Sequence, residues 1–565
     1  MKYEAEIRLA LRPVLVALLG VCPTLSAYAA SPALPGAGAL LQQARPVTPP
    51  QAPSSNPGLN VEQPGAAALP ASANFTVQHI EIVGNTSIPT AALHALVAEA
   101  EGRTLTLPDI GDLAARITHY YQTHGYPLAR AIVPPQTIAS GTVRIDVIEA
   151  RYGSVSVANH SRVSDRLLEA TLGGLKSGMV VTQAEMDRSL LLLSDIPGLT
   201  VDATLKPGAQ VGTSDLLVGA QPTPMFTGSV SADNGGDRYS GRVRVGATVS
   251  VINPLHLGDV LSVSGLSSGR DMDYGRVSYD ALLNGEGTRA GASYSALRYR
   301  LGDVLSPIDA TGNAQVASAW VGHPLIRSRQ LDLYARLEYD HLKLHDHVAA
   351  SSIATDRHLD NVMASVSGDV RDGLLAGAVT SWNASWTYGH VSFENGLAQA
   401  VDAVGGDTQG GFSKWNVALA RLQGLGSEDA LYLAVSGQWS SANLDPSQQM
   451  IAGGPNSVRA YDVNAVSGDS GYLLTVELRH AFAPGWLGRW QAIAFVDAAH
   501  VTVNRDLFET GPNSANLGGA GVGLNWTGPS QLSASVSLAT PVGERPELAG
   551  STASVRAWFT LGKMF

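Results

Sequence analysis

From Met225 to the C-terminus, apolar and polar residues alternate with a period of two and helical periodicity is absent. Leu331, Leu333, Ala335, Leu337 and Tyr339 share one side of a strand, and Asp332, Tyr334, Arg336, Glu338 and Asp340 share the other. Tyr472, Leu474, Val476 and Leu478 alternate in the same way with Leu473, Thr475, Glu477 and Arg479. Leu532, Ala534, Val536 and Leu538 alternate with serines. Two architectures accept such strands: a soluble β-sandwich and a membrane-spanning barrel. Charged residues make up 15% of the chain, against about 25% in soluble domains. Outside the N-terminal leader there is no run of the roughly 18 apolar residues that a membrane helix needs. Low charge, abundant glycine (60 residues) and unbroken alternation favour the barrel, in which closure leaves no strand edge unpaired in lipid. The expected fold is an all-β transmembrane barrel of about 16 antiparallel strands over residues 223–565. The last strand runs from about Thr552 to Phe565. Val555, Ala557, Phe559, Leu561 and Phe565 lie on one face, which Lys563 interrupts.

The N-terminus reads as a secretory signal peptide over residues 1–29. Lys2, Arg8 and Arg12 precede the apolar run 14–21, and Ala27-Tyr28-Ala29 offers a cleavage site. Cys22, the one cysteine, lies inside it, and cleavage leaves no thiol for disulfide chemistry. A lipoprotein site is the rival reading, but Val21 is bulkier than the small residue such a site wants. Residues 30–73 are rich in Pro and Ala and read as a linker. Within it, residues 38–44 can form one short helix, unstable alone and in need of a docking site.

Residues 74–150 change character. A strand holding Phe75, Val77, Ile80, Ile82 and Val83 ends at the turn Gly84-Asn85. Helical spacing covers 91–99 and the set Leu113, Ile117, Tyr120 and Tyr121. Strands follow at 129–133 and around Val143, Ile145 and Val147. The order β-α-α-β-β is a small α+β domain. A second copy occupies 151–222, with strands at Val155 and Val157, helices at 167–172 and 184–193, and strands around Val201 and at 215–219.

One charge in the barrel segment stands out. Asp497 interrupts the apolar strand 490–501, and a carboxylate facing lipid costs several kcal/mol. It must face the lumen, where it calls for a cation. Arg459, after the Gly453-Gly454-Pro455 turn, is a candidate if its loop folds back into the barrel. The alternative is an extracellular loop and an unrelated lumen charge.

These features together resemble the two-partner secretion transporters, the TpsB or haemolysin-activator family of POTRA-plus-barrel proteins. The resemblance rests on Phe75-x-Val77-x-x-Ile80-x-Ile82-x-Gly84-Asn85, Tyr121-x-x-x-Gly125-Tyr126, Val133-Pro134-Pro135-Gln136 and Gly141-x-Val143-x-Ile145-x-Val147-x-Glu149. Weaker matches are Gly153-x-Val155-x-Val157 and the hairpin Asn253-Pro254-Leu255 with Leu257-Gly258-Asp259. The family's inward-loop motif reads here Val458-Arg459-Ala460-Tyr461, and its partner-strand motif reads Phe495-Val496-Asp497-Ala498-Ala499. In each an alanine replaces a glycine, so the backbone there must avoid φ > 0.

The resemblance implies an outer-membrane pore with two periplasmic POTRA domains, an Arg459–Asp497 pair and a plug helix near 38–44. It implies a large unfolded exoprotein of adhesin or haemolysin type as partner, captured by β-augmentation. Glu477, Arg479, Arg336 and Glu338 are candidate lumen-lining residues. Outer-membrane lipid surrounds the barrel, and Phe565 ends the chain as barrels recognised by the assembly machinery do. The alternatives are an assembly or insertion factor of the same superfamily, which usually carries more POTRA copies, and a passive porin, which leaves the tandem domains unexplained.

Nothing in the sequence calls for an enzyme, a cofactor or a metal. GxSxG and GxxxxGK[ST] are absent. His341, His345 and His347 with Asp346 resemble a ligand cluster, but histidine-rich strand ends occur without metal. A net charge of −11 speaks against a nucleic-acid partner.

Overall fold

A computed structural model describes residues 34–45, 55–56, 58–61, 70, 72–138, 140–485, 487–508, 510–550 and 553–565. The expected leader, 1–29, and much of the segment up to 73 lie outside these residues. Helix α1 (Ala37–Ala44) and strand β1 (Leu59–Val61) precede two α+β units.

The first unit holds β2 (Phe75–Thr76), β3 (His79–Val83), α2 (Thr90–Ala95), β4 (Thr104–Leu105), α3 (Leu107–Thr123), β5 (Arg130–Ile132) and β6 (Thr142–Ile148). Its sheet runs β3-β6-β5, with β3 parallel and β5 antiparallel to β6. The single strand expected over 75–83 is broken in two. The N–H groups of Val77 and Gln78 go to the carbonyls of Arg103 and Gly141, and β2 pairs with β4 instead of extending the sheet. Helix α3 starts at a capping box, Thr106 with Asp109, and buries Ile110, Leu113, Ile117 and Tyr121 against β3 and β6. Gly84 takes φ +88°, and a Cβ there would run into the Val147 carbonyl, so this turn admits only glycine.

Glu149 closes the unit. Its carboxylate accepts the N–H groups of Thr86 and Ser87, each at 2.7 Å, the Ser87 hydroxyl at 3.0 Å and the Tyr121 hydroxyl at 2.8 Å, with the Thr86 hydroxyl as a further donor. Burial by itself raises the pKa of this group. The donors from Thr86, Ser87 and Tyr121 outweigh it and hold the pKa at about 2.

The second unit holds β7 (Arg151–Asn159), α4 (Asp165–Leu172), α5 (Gln183–Ser194), β8 (Leu199–Pro207) and β9 (Thr213–Pro222). Its sheet runs β1-β8-β9-β7, so β1 from the linker joins it. The unit is bolted to the barrel rim. Arg327, nearly solvent-free, donates to both oxygens of Asp195 at 2.7 and 2.9 Å and to Asp332 at 3.0 Å. Arg329 forks onto Asp187 at 2.7 and 2.6 Å.

Among the described residues, sixteen strands close an antiparallel barrel. They are β10 (Phe226–Asp233), β11 (Arg244–Ile252), β12 (Val260–Ser267), β13 (Met272–Leu282), β14 (Arg289–Arg300), β15 (Ala310–Arg327), β16 (Leu331–Val348) and β17 (Ile353–Asp372). The circuit continues with β18 (Ala378–Phe393), helix α6 (Gly396–Val404) in the following loop, β19 (Gly410–Gly424) and β20 (Asp429–Ser440). A loop carrying the short strands β21 (Met450–Ala452) and β22 (Val466–Gly468) leads to β23 (Ser470–Ala481) and β24 (Arg489–Thr502). It finishes with β25 (Ser514–Thr527), β26 (Leu532–Pro541) and β27 (Arg556–Met564). The final strand starts at Arg556, not near Thr552. Strand β27 pairs with β10, and Phe565 and Gly228 exchange two backbone hydrogen bonds at 2.8 and 3.0 Å to finish the seam.

Outward positions carry exposed Val263, Leu337, Leu474, Val496 and Val522, the band that meets lipid. Trp386, Trp415 and Trp439 sit side by side on β18, β19 and β20, part of an aromatic girdle. Among the described residues no helix is long and apolar enough to cross a membrane.

The depressed pKa of Glu149 sets the acid stability of the first unit. Its contribution, about 3 kcal/mol, is complete above about pH 4.5 and lost as pH falls through about 2. Pepsin cleavage within residues 75–150 of the full-length protein is therefore expected to accelerate as pH falls across that window. Glu149→Gln is expected to be cut readily throughout, with the pH dependence flattened.

Candidate functional site

The lumen is occupied from within. After β20 the chain turns back into the barrel over residues 441–469. Strands β21 and β22 pair antiparallel, Ile451 opposite Ser467, and form the stem of an inward hairpin. Its base is held by Asp469, which accepts the N–H groups of Leu444 and Arg505 at 3.0 and 2.8 Å. At the tip, Gly453 and Gly454 both take φ +104°, a left-handed pair that reverses the chain.

The tip delivers Arg459 to the barrel wall. Its Nε and Nη2 donate to the two oxygens of Asp497 at 2.8 and 2.7 Å, and its backbone N–H adds a third bond at 3.1 Å. Nη1 donates to Glu477 Oε1 at 2.7 Å, and Arg479 Nη2 donates to Glu477 Oε2 at 2.6 Å. The result is a row of alternating charge across β23 and β24: Arg479, Glu477, Arg459, Asp497. The Phe495 ring lies beneath the Arg459 guanidinium, 3.4 Å from ring centre to Cζ. Arg459 is 8% exposed and Asp497 1%. Buried charges of this kind persist only when paired and hydrogen-bonded, and here each has several partners.

Val458, Ala460 and Tyr461 are fully buried and pack with Phe495, Ala499 and Leu517. Neither Ala460 nor Ala499 has a positive φ, so alanine in place of glycine costs no backbone strain. The room for the Ala460 methyl comes from the facing wall. A Cβ on Gly519 would lie 2.7 Å from that methyl, and one on Gly521 2.5 Å from the Phe495 ring. The glycines of 518–521 thus include a flat landing place for the loop.

Sequence reasoning missed the contacts on the far side of the tip. Trp558 Nε1 donates to the Arg459 carbonyl at 2.7 Å, and Asp462 accepts from Arg556 at 2.6 Å and Arg242 at 2.8 Å. The hairpin therefore spans the lumen from β23 and β24 to the seam strand β27. No spacing signal announced Asp462, because its partners lie far away in the chain.

Helix α1 lies in the same lumen, against β14, β15 and β16, and starts one residue before the expected 38–44. Leu40, Leu41 and Ala44 join an apolar cluster with Tyr274, Leu297, Tyr299 and Leu342. The Ala37 N–H donates to Asp346 at 2.7 Å, and Gln42 donates to the Pro446 carbonyl at 2.8 Å. Asp346 also accepts from Arg357 at 2.8 Å, and Arg357 in turn pairs with Asp445 of the loop. Helix and loop are thus wired to each other through one arginine.

Arg336 and Glu338 pair with each other at 2.7 Å on the lumen face of β16. The structure does not bring them to Arg459. Arg336 lines a separate cavity of about 490 Å³, shared with Asp195 and Ile196 at the periplasmic rim. Asp346 points inward to α1. His341 and His345 alternate to the opposite face, where His341 meets Asp360 at 2.8 Å and His345 meets Asp356. The sequence cluster is therefore split by the wall. In the first α+β unit, His79, His94 and Glu101 bring three ligand-type atoms within 4.8 Å of one another. One Glu101 oxygen already accepts the Ile80 N–H at 2.9 Å and meets both imidazoles, at 3.0 and 3.1 Å, tying β3 to α2.

Comparison with known proteins agrees with this geometry. Residues 212–526 match the family described as haemolysin secretion/activation protein ShlB/FhaC/HecB, and residues 75–150 match the ShlB-type POTRA domain. The heme/hemopexin transporter protein HuxB of Haemophilus influenzae is 26% identical over 475 residues, covering 83% of this chain and 84% of HuxB. The outer membrane transporter CdiB of Escherichia coli is 26% identical over 465 residues, covering 80% of this chain and 76% of CdiB. The solved structure of CdiB from Escherichia coli superposes with a TM-score of 0.70 at 23% identity, covering 89% of this chain and 93% of that one. The barrel lies in the outer membrane and the POTRA region in the periplasm. The chain belongs to the ShlB/FhaC/HecB family of haemolysin secretion/activation proteins, the two-partner transporters that export a large exoprotein across the outer membrane.

Proposed function

We propose that this chain is a dedicated export pore whose resting state is locked by the Arg459–Asp497–Glu477 cluster. The observation that carries the proposal is a polar barrel filled by two elements, α1 and the 441–469 hairpin, each held by charge pairs and hydrogen bonds instead of continuous strand pairing. Such elements can withdraw without unzipping the barrel. Residues 74–150 and 151–222 act as two POTRA domains that receive an unfolded exoprotein of adhesin or haemolysin type. Residues 223–565 form the conduit, 1–29 serve as the leader, and Phe565 is the terminal residue read by the barrel-assembly machinery. The chain works as a pore and not as an enzyme, and folding of the exported protein outside the cell supplies the direction.

Within the latch, Arg459 and Asp497 fix the loop register, Glu477 bridges Arg459 to Arg479, and Val458, Ala460 and Tyr461 seat the tip on the wall. Arg336 and Glu338 coat the periplasmic mouth.

The first test is secretion of a large exoprotein from the same organism, followed by immunoblot of culture medium with and without the transporter. Appearance only in its presence is the expected result. Arg459→Ala leaves Asp497 buried without a cation and Glu477 with Arg479 alone, a loss of about 3–5 kcal/mol. This variant is expected to reach the outer membrane as a folded, heat-modifiable barrel and to export nothing. Wild-type export by it sinks the latch. Gly519→Val leaves every charge in place but drives the tip off the wall, and is expected to reduce export to a similar degree in a barrel of unchanged heat-modifiability.

A further inference from the structure

The first α+β unit carries a side-chain cluster that takes no part in the barrel or its latch. His79 opens β3, His94 lies in the last turn of α2, and Glu101 follows the short 3-10 turn Ala98–Ala100. Backbone bonds bring these segments together. The Val77 N–H donates to the Arg103 carbonyl at 2.9 Å, and the Gly102 N–H donates to the Val77 carbonyl at 2.7 Å. The chain around Glu101 is thus laced to the residues just before His79. The Ile80 N–H then donates to Glu101 Oε1 at 2.9 Å and fixes that oxygen in place. Onto the same oxygen converge His79 Nδ1 at 3.0 Å and His94 Nε2 at 3.1 Å. His79 is exposed, and His94 and Glu101 are half-buried. Among the described residues this is the one group of three His, Cys, Asp or Glu side chains whose ligand-type atoms gather so closely.

We propose that His79, His94 and Glu101 form a binding site for a divalent transition-metal ion of the zinc class. Zinc bonds imidazole nitrogen at about 2.0–2.1 Å and carboxylate oxygen at about 2.0–2.2 Å, so neighbouring ligands of a tetrahedral site lie about 3.3 Å apart. Both nitrogen–oxygen edges are already within about 0.3 Å of that spacing. The nitrogen–nitrogen edge, at most 4.8 Å, closes when the exposed His79 side chain turns inward. With the ion in place, His79 keeps its proton on Nε2 and His94 on Nδ1, and each ring presents a lone pair. Calcium and magnesium are poor occupants, because they call for oxygen ligands throughout and this set offers mainly nitrogen.

Three protein ligands leave a fourth position for water on the solvent side, beside His79. The ion joins β3, α2 and the segment before β4 through one centre. Because it binds the folded unit and not the unfolded chain, it stabilises that unit as its concentration rises.

The test uses full-length protein in detergent micelles, stripped with a chelator and desalted, then titrated with cobalt chloride followed by zinc chloride. Wild type is expected to show the visible absorption of four-coordinate cobalt, and zinc is expected to abolish it. His79→Ala and His94→Ala are each expected to weaken cobalt binding by about tenfold or more. Glu101→Gln keeps an acceptor for the Ile80 N–H while removing the charge, and is expected to weaken it likewise. Zinc is also expected to slow trypsin cleavage within residues 75–150 of wild type severalfold, and to leave cleavage of His79→Ala unchanged. The exposed His79 ring is the safest of the three to remove without harm to the fold. Absence of the cobalt band in wild type overturns the proposal. Equal cobalt affinity in wild type and all three variants also overturns it, and marks an adventitious ion held by other histidines. Equal zinc protection of wild type and His79→Ala overturns it as well.

Discussion

A guanidinium carried on a loop into the centre of a barrel must find anions there, and this requirement organises the lumen. Arg459 meets it with both oxygens of Asp497 and one of Glu477. Removing Arg459 strands Asp497 in a poorly solvated place, while Glu477 keeps Arg479, so the cluster depends most on its central cation. Such a cluster sets register: one position of the tip satisfies all three side chains and also presents the Arg459 carbonyl to Trp558. The glycine at 519 and the aromatic at 495 serve that same position, one by giving way and the other by lying flat beneath the charge.

Much of this was legible in the sequence because barrels obey a strict rule of sides. A residue on a membrane strand faces lipid or lumen, and parity decides which. Asp497 could therefore be sent inward without any structure, and Glu477, Arg479, Arg336 and Glu338 with it. The β-α-α-β-β order of the first α+β unit was likewise written in periodicity and in the Gly84 turn. What could not be read were contacts that depend on closure. Trp558 meets Arg459, and Asp462 meets Arg242, because the last strand returns to the first. The break between β2 and β3 was hidden for a related reason. The N–H groups of Val77 and Gln78 are claimed by Arg103 and Gly141, and local alternation carries no trace of such competitors.

The domains outside the membrane show the same economy of polar contact. Glu149 gathers the Thr86-Ser87 turn and Tyr121 into one hydrogen-bonded knot. Arg327 and Arg329 each spend a planar fork on a single aspartate of the second unit. The second unit is thereby held at a fixed orientation at the barrel rim.

Arg357 ties the two obstructions in the lumen to one charge. It holds Asp346, which caps α1, and Asp445, which belongs to the loop. Withdrawal of the loop takes Asp445 away from that cation, whereas departure of α1 leaves Asp346 and Arg357 paired on the wall. The two obstructions therefore differ in what their departure costs, and an electrical recording across a bilayer containing this protein would then show a frequent small step and a rarer large one.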